Sequence, residues 1–412
     1  GGTSLRSPLS EWMRGSMGCS EIVIIRGGTP QQLSPAATVF TAAEFKQRLS
    51  SASFFGLLFK YHNARAIVPD LEFHSNPLLT ALCLRFLSRG PAWLEDETGT
   101  RSSIGLGRLA ARIRLFLRDF AFRRDELRRV ERDLVSLERL TRQQEKRRVR
   151  EGTPVYLRTD LLFNLRAGGS VGHTAGVLNN LETLCGRPTF LTTDLIPTVL
   201  SRIDTRVIRP LDAYWDFHGL PALAFNQTYL NEAREALRTR GTSFIYQRYS
   251  PGNYCGTVLA NELNVPLVTE FNGSEVWVAR HWGNTLPYES LYARIEMTTL
   301  VLSDLIVVVS EPLKEDLVKA GISAEKILVN PNGVDTGKYS PQLDGSGVRK
   351  QLGIEGKTVL GFIGTFGKWH GAEVLAQAFG MLLQAYPELR EKVRLLMIGD
   401  GQTMPQVKEN LA

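Results

Sequence analysis

The sequence predicts an α/β protein built on doubly wound parallel sheets, and three observations predict it. From Pro154 onward, short apolar runs alternate with helix-length stretches; a glycine pair, Gly168-Gly169, lies between the first of these runs and the next helix; and the alternation restarts near Lys357. Strands hidden on both faces by helices read as such short apolar runs, and parallel strands need helical crossovers. The 412 residues suffice for roughly two or three domains of about 150 residues each. Apolar residues make up 43% and charged residues 22%, the balance of a globular chain. The best candidate for a spanning helix, Leu300–Val309, is interrupted by Ser303 and Asp304 and falls short of the roughly 18 apolar residues needed, so none is expected.

Taken in order, residues 1–105 read as a small α/β extension. Strands are expected at 21–27, 53–58 and 65–68, and helices at Ala42–Leu49 and Pro77–Leu87. No chemical motif lies there, so a scaffold role is expected. Residues 106–150 form a basic amphipathic segment. Leu109, Ile113, Phe116, Leu117, Phe120, Leu127, Val130, Leu134, Leu137 and Leu140 recur at spacings of three and four, and no Pro or Gly occurs from Arg108 to Glu151, which predicts one or two long helices. Fifteen Lys/Arg against seven Asp/Glu between Arg108 and Arg150 carry the excess behind the overall net charge of +7. Two readings compete: a helix packed on the protein with a solvated charged face, or an anionic membrane surface that attracts the arginines and holds the protein peripherally on the inner membrane. No nucleic-acid partner is expected, because aromatic residues are not interleaved for base stacking.

Residues 151–312 read as the first regular domain. Its strands are expected at Val155–Arg158, Thr189–Thr192, Arg206–Arg209, Phe244–Gln247, Pro266–Glu270 and Leu305–Ser310, and its helices at Val171–Cys185, Leu230–Arg238, Tyr254–Leu263 and Tyr288–Leu302. Residues 313–356 connect it to a second unit, 357–412, with strands Thr358–Gly364 and Val393–Ile398 flanking a helix at Val374–Ala385. Two strands do not close a doubly wound sheet, so this second domain is expected to be incomplete and the natural chain to continue past Ala412. The cysteines Cys19, Cys83, Cys185 and Cys255 form no C-x-x-C pair, which argues against a zinc site or disulfide framework and for single buried thiols in a reducing cytoplasm; no metal site is expected.

Five segments carry candidate chemistry. Arg166-Ala167-Gly168-Gly169-Ser170-Val171-Gly172-His173 joins a strand to a helix, where glycines admit a ligand to the backbone and the helix start offers free N–H groups to an anion. The spacing is not G-x-G-x-x-G, and Gly356-Lys357-Thr358 lacks the first glycine of a phosphate loop. Pro266–Glu275 clusters polar groups at the carboxyl end of a strand, with Glu270 and Glu275 as candidates for a general base or for holding sugar hydroxyls. The remaining three are Ser303–Ser310 with Ile327–Asp335 (containing Asn332 and Gly333), Gly361–Gly371 (containing Gly364, Lys368, His370 and Gly371), and Met397-Ile398-Gly399-Asp400-Gly401.

In their order and spacing, these segments resemble the family 4 glycosyltransferases over residues 154–412, with Asn332-Gly333-Val334-Asp335 followed by Tyr339-Ser340-Pro341. The resemblance implies the GT-B fold, two Rossmann-like domains with the acceptor on the first and the nucleotide sugar mostly on the second. It further implies transfer of a sugar, with retention, from a nucleoside-diphosphate sugar to an acceptor hydroxyl of a glycan or lipid-linked acceptor, in envelope or extracellular polysaccharide assembly, without a metal or other cofactor. By it, Gly168, Gly169 and Ser170 face the donor phosphates with His173 close by, and Asn332, Gly333, Gly364, Lys368, His370, Gly371, Gly399 and Gly401 belong to the donor side. Glu270, Asn272 and His173 are the catalytic candidates. Asn272 stands near where many members carry a histidine, and Thr365 and His370 stand where members carry an arginine and a lysine. The family's carboxylate pair would lie beyond Ala412. Two other functions remain open: a nucleotide-sugar epimerase of the same fold, and a non-catalytic module tethered to membranes by residues 108–150.

Overall fold

The computed structural model describes residues 21–26, 34–96, 98–140, 147–166, 168–282, 286–399, 401 and 403–411. Cys19, Gly27, Ala167 and Asp400, and the 141–146 part of the basic segment, lie outside them. The chain divides into two compact units, Gly1–Val276 with Thr285–Asn330, and Trp277–Asn284 with Pro331–Ala412.

The first unit holds two sheets. Strands β1 (Glu21–Ile25), β2 (Thr38–Thr41), β3 (Asn63–Ile67), β4 (Ala92–Glu95) and β5 (Arg101–Ser103) run in the order β2-β1-β3-β4-β5. All pairs are parallel except β4 with β5. The first helix, α1 (Ala42–Leu49), starts on a capping box in which Glu44 N donates to Thr41 Oγ1 and Thr41 N donates to Glu44 Oε2 at 2.7 Å. Helix α2 (Pro77–Leu87) begins with proline at its first turn, where the missing N–H costs nothing. These helices sit where the sequence places them, but 53–58 is not a strand. Ala52–Leu57 is a 3₁₀ turn, and Phe55 is exposed. An apolar run this short does not by itself separate strand from turn.

Helix α3 (Leu106–Leu140) spans 35 residues, about 50 Å at 1.5 Å per residue. It is described through Leu140, and residues 147–150 are irregular. Its inner face is packed on the protein. Leu109 joins the core of the first sheet, while Val130, Leu134 and Leu137 join the core beneath the second. Burying each of those three contributes roughly 1.5–3 kcal/mol. Polar latches set its register: Arg112 donates to Asp212 Oδ1 (2.6 Å), Asp119 Oδ2 accepts from Tyr214 N (2.6 Å), and Asp133 Oδ2 accepts from Tyr254 OH (2.9 Å).

The second sheet has seven strands, β6 (Thr153–Arg158), β7 (Thr189–Thr192), β8 (Asp204–Val207), β9 (Thr242–Arg248), β10 (Leu267–Phe271), β11 (Leu305–Val308) and β12 (Ile327–Val329), in the order β12-β11-β10-β9-β6-β7-β8 and all parallel. The strand expected at Arg206–Arg209 is shifted to Asp204–Val207, where it pairs in register with Thr189–Thr192. Helices α4 (Gly169–Cys185), α5 (Leu220–Leu237), α6 (Cys255–Leu263), α7 (Glu275–His281), α8 (Glu289–Leu302) and α9 (Glu311–Lys319) follow the strands. The core joins Val155, Leu157, Ile245 and Leu267 to Leu223 and Tyr229 of α5 and Ile295 of α8. Order reversal at β6, with β9 on one side and β7 on the other, is the switch point of a doubly wound sheet, and ligands bind such sheets outside the carboxyl ends of the strands. Of the cysteines, Cys83 and Cys255 are buried free thiols, whereas Cys185 is exposed.

In the second unit, α10 (Ser346–Leu352) precedes a two-stranded parallel sheet of β13 (Thr358–Ile363) and β14 (Val393–Ile398), joined by α11 (Ala372–Ala385) and followed by α12 (Met404–Leu411). Among the described residues, no helix is long and apolar enough to cross a membrane.

Candidate functional site

In the first unit, the carboxyl ends of three adjacent strands each close on a charged residue. Arg158, Arg248 and Glu270 end β6, β9 and β10, or nearly so, and are direct cross-strand partners. Arg158 is neutralised by Asp160, with which it makes paired bonds of 2.8 and 2.7 Å. Arg248 donates to Glu270 Oε1 at 2.6 Å. That oxygen also receives Asn272 Nδ2 (2.7 Å), and Oε2 receives Tyr246 OH (3.1 Å). Tyr246 is itself held face to face with Tyr156, ring centroids 5.1 Å apart.

Helix α4 begins beside this cluster. His173, on its second turn, places Nε2 3.0 Å from Glu270 Oε1, an ion-pair distance. Glu270 is 1% exposed. Burial pushes its carboxyl up, but His173, Arg248 and Asn272 together outweigh burial and hold it below the ordinary glutamate value. The structure thus brings His173, Glu270 and Asn272 into one constellation. It adds Arg248, which no motif flagged; the only available signal was a charged residue closing a buried strand. Both Glu270 oxygens are occupied by protein groups, an arrangement suited to holding its neighbours in place.

The turn ahead of α4 has the properties an anion site needs. Gly168 stands at the helix N-cap with φ +115°, a conformation that side-chain-bearing residues avoid, and no side chain caps the helix start. A Cβ added at Gly168, Gly169 or Gly172 would meet nothing within 4 Å. Packing therefore does not demand these glycines, and the space over the first-turn N–H groups is open. Gly168, Gly169 and Ser170 are all exposed there.

Near the same edge, Glu296 of α8 has a buried Oε2 without a partner. Burial first, and the neighbouring Glu275 second, push its carboxyl up to about 7 against a bond from Ser274.

In the second unit the glycine segments are laced together. Gly364 N donates to Ile398 O (3.0 Å), and Thr403 N to Phe366 O (2.9 Å). A Cβ at Gly399 would fall on the Gly364 carbonyl oxygen, and one at Gly401 would lie 2.7 Å from Phe366 O. These two glycines are thus explained by close backbone approach. Gly371 caps α11 with φ +66°, and His370 reaches Thr365 Oγ1 through Nδ1 (3.1 Å). Lys368 is exposed, and Asn332 and Gly333 lie in an exposed coil whose following turn is tied by Asp335 Oδ1 to Gly337 N (3.0 Å).

No curated protein matches the chain. Among solved structures, Anabaena HepE, crystallised with UDP and glucose, is similar at 18% identity, with a TM-score of 0.43 over 63% of this chain and 65% of that one. WaaG, a glycosyltransferase involved in lipopolysaccharide biosynthesis, gives 12%, 0.45, 62% and 67%, and the UDP-GlcNAc 2-epimerase from Neisseria meningitidis gives 14%, 0.38, 63% and 68%. The chain thus spans just under two thirds of the length of HepE. The model of Glycosyltransferase Family 4 matches residues 167–338, from the Gly168-Gly169 turn through the whole His173–Arg248–Glu270–Asn272 constellation to Asn332-Gly333. Over these residues the chain is similar to the Glycosyltransferase Family 4 model.

Proposed function

We propose that the protein transfers a sugar, with retention of configuration, from a nucleoside-diphosphate sugar to an acceptor hydroxyl on a glycan or lipid-linked acceptor, in cell-envelope or extracellular polysaccharide assembly. The observation that carries the reading is the uncapped, sterically open helix start at Gly168-Gly169, inside the family match and next to His173. A diphosphate placed there would accept from the first-turn N–H groups while the helix dipole stabilises charge developing on the departing phosphate. Such preorganised positive potential lowers the barrier without a metal. The imidazole of His173, whose Nε2 lies 3.0 Å from Glu270 Oε1, would offer its other nitrogen to the donor or the acceptor. Glu270, enclosed by Arg248, Asn272 and Tyr246, acts in this reading as a positioning residue and not as the general base. On the second unit, Lys368 and His370 supply the cationic and polar groups of the Gly364–Gly371 loop.

The test is incubation with a panel of nucleotide sugars and candidate acceptors, reading released nucleoside diphosphate and the anomeric configuration of the product. Release with a retained linkage supports the proposal, an inverted linkage removes the mechanism, and an epimerised donor with no diphosphate released transfers the assignment to an epimerase.

The same proposal places the protein on the cytoplasmic membrane surface. Leu106, Ile113, Leu117 and Phe120 recur on one outward stripe of α3 and are exposed, with Arg114 and Arg124 nearby. Apolar side chains beside arginines suit an anionic bilayer interface. Sedimentation with phosphatidylglycerol vesicles should fall at high salt and be lost in Leu117→Asp; binding indifferent to both would sink the idea.

A further inference from the structure

The strand order of the N-terminal sheet, β2-β1-β3-β4-β5, reverses between β1 and β3, and a parallel sheet binds ligands outside the carboxyl ends of the strands at such a reversal. Arg26, the residue after β1, stands at that point. Its backbone N–H donates to Ile67 O at the end of β3 (2.9 Å), and its guanidinium donates to Ser75 Oγ (3.1 Å) and to Thr80 Oγ1. Helix α3 adds two cations: Arg108 donates to Ser102 Oγ and to Leu71 O (3.4 Å), and Arg112 donates to Asp212 Oδ1 (2.6 Å). These three arginines all act on His74, which is 5% exposed. Its Nδ1 lies 3.1 Å from Asp70 O, a pure acceptor, which puts the ring proton on Nδ1 and leaves a lone pair on Nε2. Nε2 is buried and has no hydrogen-bond partner. Burial first, and the arginines after it, push the imidazole down to about 3, so the ring is neutral at physiological pH.

We propose that this cluster is a second anion site, which holds a phosphate group together with a hydroxyl donor: Arg26 and Arg108 meet the charge, and His74 Nε2 accepts from the hydroxyl. Arg26, His74, Arg108 and Arg112 all lie outside residues 167–338, the part similar to the family model. Among the described residues, neither Arg26 nor Arg108 has a carboxylate at ion-pair distance; their bonds go to hydroxyls and one carbonyl. The carboxylates nearby are engaged elsewhere: Asp212 with Arg112, Asp70 with Arg209 (3.2 Å), and Asp216 with Leu78 N at the start of α2 (2.9 Å). Glu72, which also acts on Arg108, is exposed. The cluster opens to solvent on one side, since Ser75 is exposed and Arg26 and Arg108 are half-buried, while His74, Thr80 and Arg112 close its back. A buried acceptor without a donor is costly, and a ligand hydroxyl removes that cost. The Nε2 lone pair therefore sets selectivity. At neutral pH inorganic phosphate carries a proton that it can donate, and a phosphomonoester can offer a carbon hydroxyl beside its phosphate. Sulfate carries neither and would turn an oxygen toward a bare lone pair.

The experiment titrates the full chain calorimetrically with inorganic phosphate, glycerol phosphate and sulfate, at neutral pH and constant ionic strength. The proposal expects saturable binding of phosphate or glycerol phosphate, at least about ten-fold tighter than sulfate. The tighter of the two names the source, free phosphate or a phosphomonoester. Arg26→Gln and Arg108→Gln should each weaken that binding at least about ten-fold, through the loss of a charge-assisted bond. His74→Leu removes the acceptor and should bring the preference over sulfate to within about two-fold. Gly169→Val alters the α4 start and should leave phosphate affinity within about two-fold of the parent. Circular dichroism checks that each variant is folded; should His74→Leu fail to fold, the parent's ratio of phosphate to sulfate affinity and the two arginine variants decide. The proposal is overturned if neither phosphate nor glycerol phosphate binds, if sulfate binds as tightly, or if binding survives both arginine substitutions. Loss of phosphate binding in Gly169→Val also overturns it, by placing the anion on the α4 start.

Discussion

Gly169→Val separates a phosphate-binding turn from a structural one, because the structure fixes what each role predicts. Gly169 is the first residue of α4 and does not adopt positive φ, and an added Cβ would touch nothing within 4 Å. The fold should therefore accept valine: replacing glycine in a helix recovers a few tenths of a kcal/mol of backbone entropy, up to about 1 kcal/mol for alanine. A donor phosphate hydrogen-bonded to first-turn N–H groups has to approach within about 3 Å of the backbone, where the two methyls would stand. Charge-assisted bonds contribute about 1.5–3 kcal/mol each, so losing one or two should cost roughly ten-fold to ten-thousand-fold in kcat/KM for diphosphate release. Urea denaturation measured alongside should show stability unchanged or slightly raised. Gly168→Ala serves as the contrast: at φ +115° it should lose about 1–3 kcal/mol of stability. A Gly169→Val protein that turns over within two-fold of the parent would refute the phosphate role.

Three further outcomes follow from the same geometry. Arg248→Ala leaves the 1%-exposed Glu270 carboxylate without its 2.6 Å partner and should cost about 3–5 kcal/mol in urea denaturation at neutral pH; a loss below about 1 kcal/mol would show that the carboxylate does not depend on it. Glu296, pushed up to about 7 from an ordinary 4.5, is harder to ionise in the folded than in the unfolded chain. Its contribution is present below pH 4.5 and lost as pH rises through 7, about 3 kcal/mol in full at 1.36 kcal/mol per unit, so Glu296→Gln should gain stability over the parent between pH 5 and 8, and a pH-independent difference would contradict this. Gly399→Ala forces a methyl onto the Gly364 carbonyl and should destabilise the second unit by about 1–3 kcal/mol or displace its loops, read as a lower urea midpoint of that unit; an unchanged midpoint would remove the close-approach explanation.

The alternation of apolar runs and helical stretches made the seven-stranded sheet legible, because strands such as Leu305–Val308 are buried on both faces and leave no polar alternation to misread. It failed where burial did not follow the run. Phe54 and Phe55 sit in a 3₁₀ turn, and Asp204–Val207 is a strand through its pairing with β7 instead of its own apolarity. The three-and-four spacing of α3 marked the packed residues Val130, Leu134 and Leu137, but Ile113, Leu117 and Phe120 on the same spacing are exposed. The site was half legible. Gly168-Gly169 and His173 are consecutive and carry a pattern, whereas Arg248 meets Glu270 only because two strand ends 22 residues apart are neighbours in the sheet, a fact of topology that no local spacing encodes.

The central claim is that the protein holds a nucleoside diphosphate on the α4 start, and calorimetric titration of UDP, GDP and ADP into the chain and into Gly169→Val tests it most directly. The account predicts saturable binding of at least one of the three nucleotides, weakened at least about ten-fold by the substitution at unchanged fold stability. Absence of binding by all three, or equal affinity in the two proteins, would contradict it.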